Sequence, residues 1–212
     1  MKHLHLLILS ISILFIQCKK DETETTYEVT FDINWNAEDF PVNYPSNPHF
    51  SKIIGWSHSS SNDFFGLGSM ASEGIKEMAE LGSTEPLSEE INDKIKNKEG
   101  YKLVVGDNLG SGVGKITVEI EVNKENPSIT LATMIAPSPD WYIAVVNVNL
   151  FEGNEFVSNK TIDASIYDAG TDNGTDYTSA NEVTNPQQNI SILDDAPLSN
   201  GLTLSTVTFT KK

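Results

Sequence analysis

Apolar and polar residues alternate with a period of two along much of this chain. Tyr27, Val29, Phe31, Ile33 and Trp35 are interleaved with Glu28, Thr30, Asp32 and Asn34, the signature of a strand with one buried face. Ile116, Val118, Ile120 and Val122 alternate with Thr117, Glu119 and Glu121 in the same way. The runs from Ile129 to Ala136 and from Trp141 to Phe151 are instead almost continuously apolar or β-branched, as central strands covered on both faces should be. Glu152-Gly153-Asn154-Glu155 supplies turn residues for a hairpin into Phe156 onward. Ile190 to Leu193 and Leu202 to Phe209 complete the set, punctuated by Pro186, Pro197 and Gly201. About seven or eight strands of this kind predict an antiparallel β-sandwich.

Helical spacing is confined to residues 69–98. Met70, Ile75, Met78, Ala79 and Leu81 recur at helical intervals, and Gly82 stands where a C-terminal glycine cap belongs. Gly74 weakens that helix by about 1 kcal/mol relative to Ala. A second helix is expected over Leu87 to Lys98, with Ser88 as cap, Glu89 and Glu90 in its first turn and lysines later, the order the helix dipole favours. Gly106 to Gly114 reads as a flexible loop leading back to the sheet.

The N-terminus is of a different kind. Lys2 precedes thirteen residues from Leu4 to Ile16 that are almost all apolar, too few for a bilayer-spanning helix of about 20, so residues 1–17 read as a signal peptide. Its ending, Ile16-Gln17-Cys18-Lys19, resembles a bacterial lipoprotein signal, with Cys18 as the lipidated residue; Gln17 departs from the small residue usual there. Cys18 is the single cysteine, so no intrachain disulfide can form. Residues 18–26 then serve as a charged, threonine-rich tether, and 27–212 as one domain. Anchor and tether predict attachment to the outer membrane, with the leaflet and display on the cell surface left open.

Removing 17 residues from 212 leaves 195, enough for one domain with a substantial core, and loss of Lys2 takes the formal charge from −16 to −17. Such acidity excludes nucleic acid and bare anionic membrane as partners unless a cation bridges the two. Two acidic turns stand out: Pro137-Ser138-Pro139-Asp140-Trp141 and Tyr167-Asp168-Ala169-Gly170-Thr171-Asp172-Asn173-Gly174. Carboxylates in loops at one end of a sandwich are the oxygen-rich surroundings that calcium requires. From spacing alone, ordinary turn-capping aspartates are the better-supported reading.

The histidines beyond the leader, His49 and His58, lie nine residues apart with no cysteine near, which argues for structural roles rather than zinc. Ser57-His58 and the serines after it lack the Gly-x-Ser-x-Gly turn of a hydrolase. Trp35, Trp56 and Trp141 read as packing residues, with sugar stacking open to any that is exposed.

Four blocks in order carry a family resemblance. They are Asn47-Pro48-His49-Phe50-Ser51-Lys52-Ile53-Ile54-Gly55-Trp56-Ser57-His58, then Gly68 to Lys76 followed by Ala79-Glu80-Leu81-Gly82, then Ala136 to Trp141, then Tyr167 to Asp172. Together they resemble the spondin domain, the central module of F-spondin-like extracellular matrix and adhesion proteins, from about Tyr27 to Ile192. The resemblance implies an all-β, C2-like antiparallel sandwich that holds Ca²⁺ at its loop end through Asp140, Asp168 and Asp172. Phe156 stands where the family commonly has tryptophan, the family's cysteines are missing, and these residues include neither a reelin-type module nor thrombospondin repeats. The expectation is a non-enzymatic, monomeric, lipid-anchored recognition or adhesion domain for a protein or glycan ligand. Calcium-mediated attachment to anionic lipid or lipopolysaccharide is the alternative, and a hydrolase with an unrecognised site a more remote one.

Overall fold

The computed structural model describes residues 22–61, 63–198 and 200–212. The signal peptide and Cys18 lie outside the described residues. In chain order the first elements are β1 (Glu24–Asn34), β2 (His49–Phe50), β3 (Ile54–His58), α1 (Glu73–Leu81), α2 (Leu87–Lys96), β4 (Gly100–Val105) and β5 (Val113–Asn123). Then come β6 (Ser128–Ala136), β7 (Trp141–Asn149), β8 (Phe151–Glu152), β9 (Glu155–Phe156), β10 (Asn159–Asp163), β11 (Ser165–Asp168), β12 (Ser191–Ile192) and β13 (Ser205–Lys211).

Two antiparallel sheets face each other. One has the order β10-β13-β1-β5; the other runs β12-β11-β7-β6-β3-β4, with β2 also paired to β6. The alternating residues of β1 and β5 put Tyr27, Val29, Phe31, Ile33, Ile116, Val118 and Ile120 into the core between the sheets, while Glu28, Asp32, Glu119 and Glu121 face water. This core also takes Ile129, Leu131, Ile143 and Val145 from one face of β6 and β7. The other face of those strands, with Ala132, Met134, Tyr142 and Ala144, packs under the helices with Ile54, Trp56, Ile75, Met78, Leu87 and Ile91. A third layer thus explains why β6 and β7 are apolar throughout.

Both helices fall within the expected stretch, but α1 starts only at Glu73, so Met70 lies outside it and is exposed, as is Leu81, leaving Ile75, Met78 and Ala79 as its buried apolar face, and α2 ends at Lys96. Ser72 caps α1 by accepting the Ile75 amide at 3.2 Å, and Gly82 takes the left-handed conformation (φ 66°) that closes its end. Gly74 is required by contact: a Cβ there would come within 2.7 Å of the Leu87 backbone, where α1 and α2 cross. Ser88 is not the cap of α2. The helix starts at Leu87, directly after Pro86, and the Ser88 hydroxyl donates to the Thr84 carbonyl at 2.8 Å instead.

Elsewhere the hairpin between β8 and β9 turns through Gly153 and Asn154, both at positive φ, as a two-residue connection favours. The glycine-rich loop before β5 is pinned: Phe50 and Leu109 exchange backbone hydrogen bonds at 2.8 and 3.1 Å, and Trp35 donates to Gly112 at 2.9 Å. Two strands had no clear signal, β3 and β4, and they extend the larger sheet beyond β6.

Candidate metal centre

Strand pairing brings the two acidic turns together. β11 is antiparallel to β7 with Asp168 opposite Trp141, so Asp140, one residue before β7, and Asp168, the last residue of β11, reach the same end of the sheet. The Ser138 hydroxyl accepts the Trp141 amide at 3.1 Å and shapes the first turn. Gly170 shapes the second. Its φ is +73°, and a Cβ there would lie 2.5 Å from the Gln188 carbonyl oxygen, so only glycine fits. The turns also interlock, since a Cβ on Gly174 would meet the Pro139 ring at 2.6 Å.

Asp140 is the centre of this arrangement, fully buried. Its Oδ2 accepts the Thr171 amide at 2.7 Å, the Thr171 hydroxyl at 3.2 Å and the Asp172 amide at 3.1 Å. Its Oδ1 is equally buried and has no hydrogen-bond partner. Burial, and then the neighbouring charge of Asp168, push the Asp140 carboxyl up to about 6, against the pull of the Thr171 and Asp172 donors. Asp168 is also raised by burial, partly offset by the Gly170 amide that its Oδ1 accepts at 2.7 Å. The buried Tyr142 hydroxyl nearby lacks a partner as well.

Asp172 is placed differently. Its amide serves Asp140, while its own Oδ1 and Oδ2 accept the amides of Gly174 at 2.7 Å and Glu182 at 3.2 Å. Asp140 and Asp168 therefore share an electrostatic environment, and Asp172 joins it through its amide to Asp140 and through its charge, a minor cause of the rise at Asp168. Among the described residues no three His, Cys, Asp or Glu side chains converge into a ready-made ligand set. The orphaned, electron-rich oxygen of Asp140 beside a second carboxylate is nonetheless the kind of position a cation would satisfy. Sequence reasoning missed Thr171 and Gln188, whose roles depend on contacts between segments far apart in the chain.

The other candidates resolve into structure. His58 is buried against Trp56 with ring centroids 5.1 Å apart; Nδ1 donates to the Ser59 carbonyl at 2.7 Å, and Nε2 meets the Thr130 hydroxyl at 2.8 Å. Asp63 Oδ1 lies 3.5 Å from Nε2 and accepts from the Thr130 hydroxyl at 3.3 Å. The hydroxyl beside Nε2 is thus that of Thr130, which also accepts the Asn147 amide at 2.9 Å. Burial lowers His58 and raises Asp63. His49 bonds the Asn47 carbonyl at 2.8 Å. All three tryptophans are at most 1% exposed, so none offers a face to a sugar. Among the described residues no helix is long and apolar enough to cross a membrane.

The family profile described as Spondin_N matches residues 25–200. Human Spondin-2 is 30% identical over 168 residues, which cover 77% of this chain and 51% of that protein. Mouse Spondin-1 is 34% identical over 173 residues, 77% of this chain and 21% of that protein, and chicken Spondin-1 matches to the same extent. The chain thus spans about half the length of the one relative and about a fifth of the other.

Proposed function

The chain belongs to the spondin N-terminal family, and on that premise we propose that it is a non-catalytic, extracytoplasmic recognition or adhesion domain whose acidic loops bind Ca²⁺. Cys18 is its lipid anchor to the outer membrane, and its ligand is a protein or glycan held by the loops that the ion organises. The observation that carries the metal reading is Asp140 Oδ1, buried without a donor and adjacent to the charge of Asp168. Asp140 and Asp168 would hold the ion, with Asp172 completing the acidic set through the lone pairs its two amide bonds leave free. Calcium takes about six to eight oxygens, so carbonyls and water contribute the rest. Bound there, the ion neutralises two crowded carboxylates and supplies Asp140 Oδ1 with the partner it lacks.

Calorimetric titration of the full chain with calcium tests the site: heat of binding is expected, and Asp140→Asn should abolish it. Absence of binding at millimolar calcium would overturn the reading. Detergent partitioning and mass spectrometry of Cys18 test the anchor separately.

A second reading has its own support. Val42 and Val183 are 48% and 64% exposed and flank the acidic loops: Asn43 donates to Asp176 at 2.7 Å, and Val183 is bridged to Asp172. Apolar tips beside a calcium site suit attachment to anionic lipid or lipopolysaccharide. Liposome sedimentation with calcium and with chelator separates the two readings.

A further inference from the structure

Asp140 Oδ1 is not the only buried polar atom without a partner beside the acidic turns. The indole Nε1–H of the next residue, Trp141, is another, on a side chain 1% exposed. The first is an acceptor and the second a donor, and a buried donor left unpaired is as costly as a buried acceptor.

Strand pairing decides what this N–H can reach. Just beyond β11 the Ala169 amide donates to the Asp140 carbonyl at 3.2 Å. Hydrogen-bonded and non-hydrogen-bonded pairs alternate along an antiparallel ladder. The next pair inward, Asp168 opposite Trp141, is therefore of the second kind, with α-carbons about 4.5 Å apart and side chains at their closest. Trp141 packs in the core between the sheets with Ile143 and Val145, and Asp168 follows Ile166 by two residues on that same inner face. One oxygen of Asp168, Oδ1, accepts the Gly170 amide. The indole N–H holds the Asp168 carboxyl down, against the larger effect of burial, so this donor acts on the charge even without a formed bond. The ring is fixed from its other side: Tyr177 packs edge-on at 5.7 Å, and Trp35 lies against Tyr177 at 5.2 Å.

We infer that Trp141 is a positioning residue for the acidic centre: its indole N–H takes the Asp168 carboxylate and sets it facing Asp140 Oδ1, so that a cation between the two meets both oxygens at once. The inference rests on the calcium reading above and adds to it a side chain that touches no ion. A donor held rigidly in the core restricts the torsions of the carboxylate before binding, which lowers the ordering cost when the ion arrives. Trp35 is a matched contrast in the same aromatic ladder. Its Nε1 is equally buried and unpartnered, but the group it acts on is the Tyr177 hydroxyl rather than a carboxylate.

Two measurements on the full chain test this. In calorimetric titration Trp141→Phe, which keeps a ring and deletes the N–H, should weaken calcium binding on the order of tenfold, while Trp35→Phe should leave it within about twofold of the unsubstituted chain. In chelator, the ¹⁵N-labelled chain has three indole Hε1 resonances, assigned by Trp→Phe substitution. Asp168→Ala should move that of Trp141 upfield and leave those of Trp35 and Trp56 in place, a response that loss of packing alone would not select. Calcium binding that persists undiminished in Trp141→Phe, or falls equally in both Trp→Phe variants, overturns the inference and spares the metal reading. So does a Trp141 resonance indifferent to Asp168. No calcium binding by the unsubstituted chain overturns the metal reading and this role with it.

Discussion

Two buried polar clusters lie on the larger sheet and differ in how completely they are satisfied. Around His58, both ring nitrogens have partners, the Thr130 hydroxyl links His58 to Asp63, and the imidazole stacks on Trp56. Around Asp140, one carboxylate oxygen takes three donors and the other takes none. A buried polar group that lacks a partner costs more than a formed bond returns. The first cluster is therefore complete without any ligand, while the second stores a deficit that binding can remove. Titratable residues in a protein interior are informative about function through what they lack.

The largest expected effect tests both clusters by truncation. Asp140→Ala strands the Thr171 and Asp172 amides and His58→Ala opens a cavity beside Trp56, so each should cost about 3 kcal/mol in urea denaturation. The two should part when calcium is added: the loss at His58 is the same with calcium and with chelator, whereas Asp140→Ala also forfeits any stabilisation by the ion.

Acidification should separate them by sign. Asp140, raised to about 6 in the folded chain, binds protons there more readily than an unfolded aspartate. Without calcium, its contribution to stability should grow as pH falls from about 6 towards 4, by about 2 kcal/mol. His58, lowered by burial, has the opposite sign: its neutral form is favoured, and stability is lost as pH falls from the ordinary histidine value through the folded one. Denaturation curves of Asp140→Asn and His58→Gln across that range isolate the two slopes, and a common sign would refute the contrast.

Calcium addition comes next. At millimolar concentration, with the affinity usual for extracellular modules, it should add about 1 to 2 kcal/mol, read as a rise in melting temperature that Asp140→Asn removes and His58→Gln retains. The increment should fade below pH 6 as protons compete. The smallest effect is expected from Thr171→Val, which deletes one hydroxyl bond to Asp140 and keeps the amide bond, costing about 1 kcal/mol.

Legibility in the sequence followed the same division between local and distant causes. β1 and β5 were readable because each has one wet face, and β6 and β7 because both their faces are dry. β3 and β4 carry no clear pattern: β3 is five buried residues that include Gly55 and His58, and β4 is five half-buried residues and the exposed Val105, beginning shortly after a helix. The third layer over Trp56 and Tyr142 depends on how α1 and α2 fold back, which no short-range pattern records. Asp140 and Asp168 stand out in two acidic turns, but their spacing alone suits ordinary turns, and the family's blocks are what single them out as ligands. That Thr171 holds one oxygen of Asp140 while the other goes unpaired is set by two loops meeting, and only the fold brings them together.

β1 runs one way along the whole sandwich. It leaves Glu24 next to the C-terminal strand, where Lys212 donates to the Thr26 carbonyl at 3.0 Å, and ends at Asn34, whose neighbour Trp35 packs on Tyr177 and through it on Trp141. Eleven residues at about 3.3 Å each put the two poles some 30 to 35 Å apart. Glu22 thus lies at the pole opposite Asp140, beside Lys211. With Cys18 lipidated as proposed, the acidic tip is the end of the domain farther from the first described residue.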